Sequence, residues 1–129
     1  MSKRELRTDR APAPVGEYSQ GLRAGDFVFV SGQVGRDPLT GELEEGIEAQ
    51  TARTIDNVRA VLEAGGATLD DVVKSTVHLK DMSLFESFNQ VYGTYFTTPK
   101  PVRTTVGSFL PKALVEIDVI AYAPLTSSN

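Results

Sequence analysis

An arginine and a glutamate on β-prone segments are the residues of this sequence best suited to chemistry. Arg103 interrupts a run of small and β-branched residues, VRTTVGS, where an arginine must reach a partner or solvent. A guanidinium binds a carboxylate through two parallel, charge-assisted hydrogen bonds, so Arg103 is a candidate carboxylate clamp. Glu116 lies in the middle of the next β-prone segment, where it can act as a general acid or base or position water. The alternatives are a surface or interface ion pair for Arg103 and a solvated sheet face for Glu116.

The composition excludes most other kinds of catalytic centre. The chain has 129 residues, no cysteine and one histidine, His78. These counts exclude a disulfide scaffold, a thiolate nucleophile, a Cys-ligated zinc site, an iron–sulfur cluster and a His-rich metal site. Phosphate-binding loops, nucleophile elbows and zinc-protease motifs are also absent from the sequence. We therefore expect a site with neither metal nor cofactor, and no catalytic role for His78.

The net charge and the hydropathy of the chain limit the kinds of partner and the cell compartment that we expect. A net charge of −4 does not provide the overall basic surface of a nucleic-acid-binding protein. No apolar stretch approaches the roughly 20 residues of a membrane span. The N-terminal segment has basic residues but lacks the apolar core of a secretory signal. We expect a cytoplasmic domain that binds no membrane and is not suited to binding nucleic acid.

The elements that position these residues follow the order β-β-α-β-α-β-β. An apolar stripe of period 3.6 between residues 47 and 62 predicts a helix that stops at Gly65-Gly66. A second helix begins at the capping box Ser83-x-x-Glu86 and ends before Pro99. Alternating or continuous β-prone runs predict strands at 18–23, 26–32, 72–79, 102–109 and 114–122.

Two helices cannot cover both faces of a sheet of five or six strands. We therefore predict an α+β domain, with a mixed sheet and both helices on one face. Residues 1–13 are predicted to be an extended lead-in, residues 14–124 the domain and residues 125–129 a flexible tail. The open face must be solvated or packed against another subunit, and the apolar character of its candidates favours an oligomer: Val102, Thr104, Val106, Val115, Ile117 and Val119.

Eight blocks of sequence resemble, in order, the RidA family of reactive-intermediate or imine deaminases, also called YjgF. The resemblance covers about Pro14 to Ala123, which is nearly the whole domain. The blocks are G-x-YSQG from Gly16, VSGQV from Val30, QT-x4-DNV-x-AVLEAGG from Gln50, V-x-KSTV-x-LKD from Val72, F-x3-N-x-VY from Phe85, P-x-RTTV from Pro101, LPK from Leu110 and VEIDVIA from Val115.

The resemblance implies a chorismate-mutase-like fold and a homotrimer with sites in the clefts between neighbouring subunits. It assigns the substrate carboxylate to Arg103 and water activation to Glu116. It places the other substrate-binding positions at Tyr18, Ser31, Gly32, Asn89 and Thr105. Thr105 departs from the family pattern, because many members carry a cysteine there, and it removes any thiol contribution without removing the arginine.

The activity that the resemblance implies is hydrolysis of 2-imino acids or their 2-enamine tautomers, such as 2-aminoacrylate or 2-iminobutanoate, to a 2-keto acid and ammonia. Three alternatives stay open. The first is a ligand-binding or chaperone-like role, the second is deamination of the substrate of one pathway, and the third is a role as a ribonuclease or translation inhibitor. The net charge and the absence of an aromatic-basic stripe argue against the last of these.

Overall fold

Six strands form one mixed sheet in the computed structural model of the chain, which describes residues 2–125. The order across the sheet is β1-β2-β3-β6-β4-β5, with β4 and β5 parallel. The strands are β1 (Arg4–Leu6), β2 (Gly21–Ala24), β3 (Phe27–Val34), β4 (Val72–Leu79), β5 (Val102–Gly107) and β6 (Val115–Tyr122). Helices α1 (Gly46–Ala64) and α2 (Phe85–Tyr95) pack on one face, which confirms the predicted architecture. Most of the predicted tail, residues 126–129, lies outside the described residues.

Strand β1 lies inside the segment that the sequence predicts as an extended lead-in. It pairs antiparallel with β2 and buries Leu6, which is 2% exposed. The side chain of Gln20 fixes the chain that follows, because its amide donates to the Thr8 carbonyl and its carbonyl accepts the Thr8 N–H. Residues 1–13 therefore contribute a sheet strand. A single apolar residue among charged neighbours gives no periodicity from which this strand could have been predicted.

Helix α1 buries the apolar stripe that its sequence predicts. Ile55, Val58, Val61 and Leu62 are each at most 1% exposed. The helix ends at the predicted glycine pair, where the positive φ of Gly66, +83°, turns the chain away from the helix axis. Neither helix within residues 2–125 is both long and apolar enough to span a membrane.

Side-chain alternation gives the sheet one covered face and one open face. The covered face packs against the helices and includes Val28, Val77, Val115, Ile117 and Ala121, all with 0% exposure. The open face carries apolar side chains that are 39% to 67% exposed: Phe27, Phe29, Val102, Val106 and Tyr122. Of the six predicted open-face positions, the register places 102, 104 and 106 on the open face, and 115, 117 and 119 under the helices.

Candidate functional site

Arg103 lies on the edge strand β5, with its side chain directed toward helix α2 on the covered face. Its guanidinium carbon is 5.6, 5.5 and 4.7 Å from the ring centroids of Phe85, Phe88 and Tyr92. Its Nη1 donates to Asn89 Oδ1 at 2.8 Å. These four α2 residues recur at helical spacing, so one face of the helix brings all four to the arginine. The rings and the amide fix the position of the guanidinium.

Tyr92 is anchored to strand β4 by a buried hydrogen bond. Its hydroxyl forms a hydrogen bond of 2.7 Å with Ser75 Oγ on β4, and the two residues are 5% and 0% exposed. Burial raises the pKa of the Tyr92 hydroxyl, although the bond to Ser75 and the charge of Arg103 act in the opposite direction. The tyrosine is therefore neutral at physiological pH, and the buried bond anchors the ring on which Arg103 rests.

We expect Tyr92→Phe to lower the free energy of unfolding by about 1–3 kcal/mol, because it leaves the Ser75 hydroxyl buried without its partner. Urea denaturation at a fixed protomer concentration measures this change. The double variant Ser75→Ala/Tyr92→Phe removes both polar groups and should be less destabilised than the sum of the single variants. Strict additivity would contradict a coupling between the two hydroxyls.

A pocket of about 370 Å³ opens beside the guanidinium. Its lining consists of Asn89, Tyr92, Gly93, Lys100, Pro101 and Arg103. Both charged side chains in this lining are cationic. Sequence reasoning does not find Lys100, because it stands in a proline-containing connection without periodicity. An arginine and a lysine in one concave site are suited to binding an anion.

Thr105 lies two residues beyond Arg103 and therefore on the same side of β5. Its Oγ1 is one of the buried polar atoms that lack a hydrogen-bond partner within the described part of the chain. Buried hydroxyls are usually paired, so Thr105 leaves an unsatisfied polar atom on the Arg103 side of β5. Where a cysteine would offer a thiol, this protein presents a hydroxyl next to the clamp.

Tyr18 and Ser31 meet in a second pocket, formed by different strands from the first. Tyr18 precedes β2, which begins at Gly21 rather than at the predicted residue 18, and its side chain is half-exposed. The Ser31 hydroxyl donates to the Gln20 carbonyl at 3.0 Å, which ties β3 to the segment that carries Tyr18. The pocket is lined by Tyr18, Ser31 and the aromatic ring of Phe29, among others.

Glu116 lies directly against Gly32. A register shift in β3 between Val30 and Gln33 brings the glycine beneath β6, and any Cβ at position 32 would collide with the Glu116 carboxylate. The absence of a side chain at Gly32 is therefore what admits the carboxylate. The predicted candidates Ser31, Gly32 and Glu116 are in this way neighbours.

Arg103 and Glu116 lie on opposite faces of the sheet. Val115 and Ile117 are buried beneath the helices, so Glu116 between them points to the open face. Arg103 instead contacts helix α2 on the covered face. One chain therefore does not direct both predicted catalytic side chains at one substrate. The structure separates two sets of candidates: Arg103, Asn89 and Thr105 on one side, and Tyr18, Ser31, Gly32 and Glu116 on the other.

Other polar residues of the open face are neighbours of Glu116 in the pairing of β4 with β6. His78 pairs with Glu116 across β4 and β6, and its Nδ1 is 2.6 Å from Ser108 Oγ. Burial raises the pKa of Asp118, and the charges of His78 and Lys74 oppose this effect. Asp118, which pairs with Thr76 next to His78 in β4, is therefore one of the polar residues of the open face.

Comparisons with known proteins agree with this fold along nearly the whole chain. A family profile described as endoribonuclease L-PSP matches residues 8–123. A RutC family protein of Pyrococcus abyssi is 50% identical over 125 residues, which cover 95% of this chain and 98% of the relative.

Two further relatives carry more specific descriptions. The chloroplastic Reactive Intermediate Deaminase A of Arabidopsis thaliana is 39% identical over 124 residues, which cover 94% of this chain and 66% of the relative. The crystal structure of E. coli TdcF with bound serine superposes with a TM-score of 0.88 at 35% identity, covering 92% of this chain and 98% of that one. Together with the profile match, these similarities confirm the predicted relationship: the chain belongs to the RidA (YjgF) family.

Proposed function

We propose that this protein hydrolyses 2-imino acids, or their 2-enamine tautomers, to 2-keto acids and ammonia. The observation that carries the proposal is the immobilised guanidinium of Arg103 at a cationic pocket, which suits a small molecule with a carboxylate. Two relatives support it: one is named a reactive intermediate deaminase, and another was solved with serine, a small amino acid, bound.

Arg103 serves as the carboxylate clamp in this proposal. Nη1 already donates one N–H to Asn89, and the other N–H groups of the guanidinium remain for the substrate. Because Asn89 and three aromatic rings fix the guanidinium in the free protein, little side-chain entropy is lost when the carboxylate binds. The Thr105 hydroxyl, which has no hydrogen-bond partner within residues 2–125, lies two residues along the same strand and on the same side.

Glu116 serves as the acid–base group. It takes a proton from water as the water oxygen bonds to the imine carbon, which gives a tetrahedral carbinolamine. That proton passes from Glu116 to the nitrogen, which gives the carbinolamine its amino group. Glu116 then takes the hydroxyl proton as the C=O bond forms and delivers it to the nitrogen as the C–N bond breaks, so both protons of the water leave with the ammonia. One water is consumed for each ammonia released. Imines hydrolyse readily in water, so positioning and one acid–base group supply sufficient acceleration.

The opposite orientation of Arg103 and Glu116 favours an active site built from two chains. We infer that the open face of one chain closes over the Arg103 pocket of the next, and that three copies close into a ring, as the family resemblance implies. Such a contact joins two different surfaces, and repeating it makes either a ring or a filament. The exposed aromatic cluster of the open face, with ring centroids 5.3 Å apart for Phe27 and Tyr122, supplies the apolar contact area.

We expect Phe29→Glu to convert the trimer into monomers and to abolish activity, because it places a carboxylate in an interface that excludes water. Sedimentation velocity measures the assembly, and circular dichroism verifies that the chain is folded. Leu39→Glu is the matched control: Leu39 is 91% exposed in the loop before α1 and does not belong to the sheet face. A folded Phe29→Glu variant that remained trimeric would show that another surface joins the copies.

The proposed activity can be tested with an amino-acid oxidase that generates 2-imino acids in the presence of semicarbazide, which traps the imine. The protein should divert the imine to keto acid and lower the yield of semicarbazone. If a verified trimer diverted no imine derived from alanine, methionine, leucine or glutamate, the deaminase proposal would be wrong and a ligand-binding role would be favoured.

A further inference from the structure

The pocket beside Arg103 contains a second cation that imine hydrolysis alone does not require. Lys100 precedes β5, and its Nζ donates to the carbonyls of Gly93, at 3.2 Å, and Phe96, at the end of helix α2. An ammonium group has three N–H donors, so the third remains for a ligand. Lys100 is itself exposed and lines the same pocket as Arg103.

The polar groups around this pocket are almost entirely donors. The Asn89 Oδ1 acceptor is taken by Arg103, which leaves the amide N–H groups of Asn89 free to point at a ligand. The hydroxyl of Tyr92 is engaged with Ser75 below the ring. Among residues 2–125 of one chain no carboxylate is part of the lining, although the chain as a whole has a net charge of −4. In the proposed assembly Glu116 of the neighbouring chain acts at the imine carbon beside Arg103, which leaves the charge of Lys100 for a second anionic group of the ligand.

We propose that the pocket is a two-anion site and that the preferred substrates are 2-imino dicarboxylates. Arg103 binds the carboxylate next to the imine carbon, and Lys100 binds a second carboxylate at the end of the substrate's side chain. Positions 100 and 103 are three residues apart, at most roughly 11 Å along the backbone. Both side chains line the same pocket of about 370 Å³, so one small dicarboxylate can contact both of them.

This inference rests on the proposed deaminase activity and names its substrate class. The test compares kcat/KM for 2-iminoglutarate, generated by L-glutamate oxidase, with kcat/KM for the imine of methionine, which has a similar length and no second charge. The wild-type protein should favour 2-iminoglutarate. Lys100→Met should reduce the ratio of the two values about tenfold, since one charge-assisted contact is lost, and Lys100→Arg should restore most of it.

Lys80→Met is the matched control, because Lys80 is an exposed lysine outside the pocket lining. It should leave the substrate ratio unchanged. The Lys100→Met variant could leave the ratio of the two kcat/KM values unchanged, including by lowering both values equally. Lys100 would then serve only as a hydrogen-bond donor to the carbonyls at the C-terminal end of α2, and the two-anion site would be wrong. If the wild type hydrolysed neither imine, the deaminase proposal itself would fail. Failure of the two-anion site and failure of the deaminase proposal therefore give different experimental results.

Discussion

Arg103→Ala should lower kcat/KM for imine hydrolysis by about two to four orders of magnitude while the chain stays folded. A hydrogen bond to a charged group contributes about 1.5–3 kcal/mol, and two such bonds to one carboxylate correspond to about 10²- to 10⁴-fold in binding. Folding should persist, because the guanidinium is only partly buried and the rings beneath it pack against one another. The semicarbazide competition assay measures the activity, and circular dichroism the fold.

Arg59→Ala is the matched control for this prediction. Arg59 also rests on a tyrosine, with its guanidinium carbon 5.4 Å from the Tyr95 ring centroid, and pairs with Asp56 at 3.1 Å. It does not line the pocket. Its replacement should leave activity unchanged, which separates the loss of a clamp from the general loss of an arginine on a tyrosine. Full activity in Arg103→Ala would exclude the clamp.

Arg103→Lys refines the same test. Lysine keeps the positive charge but cannot donate two parallel hydrogen bonds to one carboxylate. Its activity should fall between those of the wild type and Arg103→Ala, mainly through a higher KM. An Arg103→Lys variant as active as the wild type would show that charge alone matters at this position.

Much of the fold could be predicted from the sequence, because its signals are local. The stripe through Ile55, Val58 and Leu62 predicts helix α1 and the face that it buries. Alternation predicts the central strands to within a few residues. Strand β1 could not be predicted in the same way, since Leu6 is its only buried residue and its pairing with β2 is a long-range contact.

The sequence and its family resemblance name most residues of the site, with Lys100 as an exception, but they do not predict the division of the site between two faces. The family resemblance places Arg103 and Asn89 in one site, and their contact depends on the packing of α2 against β5. The separation of Arg103 from Glu116 depends on β4 lying between β5 and β6 and on the register of both pairings. Those pairings join distant segments, and a register one residue different would have placed both side chains on the same face.

Glu116→Gln should lower kcat by about 10²- to 10⁴-fold, the usual contribution of a positioned acid–base group, with little change in KM. The amide keeps the size of the side chain and its fit over Gly32, but it cannot take the proton from water. Since the Arg103 clamp is unchanged, substrate binding should persist. Steady-state kinetics on 2-imino acids measures both parameters. A higher KM with unchanged kcat would make Glu116 a binding residue instead.

Mixing the Arg103→Ala and Glu116→Gln variants tests whether the Arg103 and the Glu116 of one active site come from different chains. In a ring, each site takes Arg103 from one chain and Glu116 from its neighbour, so an Arg103→Ala chain beside a Glu116→Gln chain forms one intact site. Random assembly of equal amounts should restore about one quarter of the wild-type activity per site. The two variants should be unfolded and refolded together, with each refolded alone as the control. Because the two side chains point to opposite faces of one sheet, a mixture that stayed inactive after verified exchange of subunits would contradict a site shared between chains.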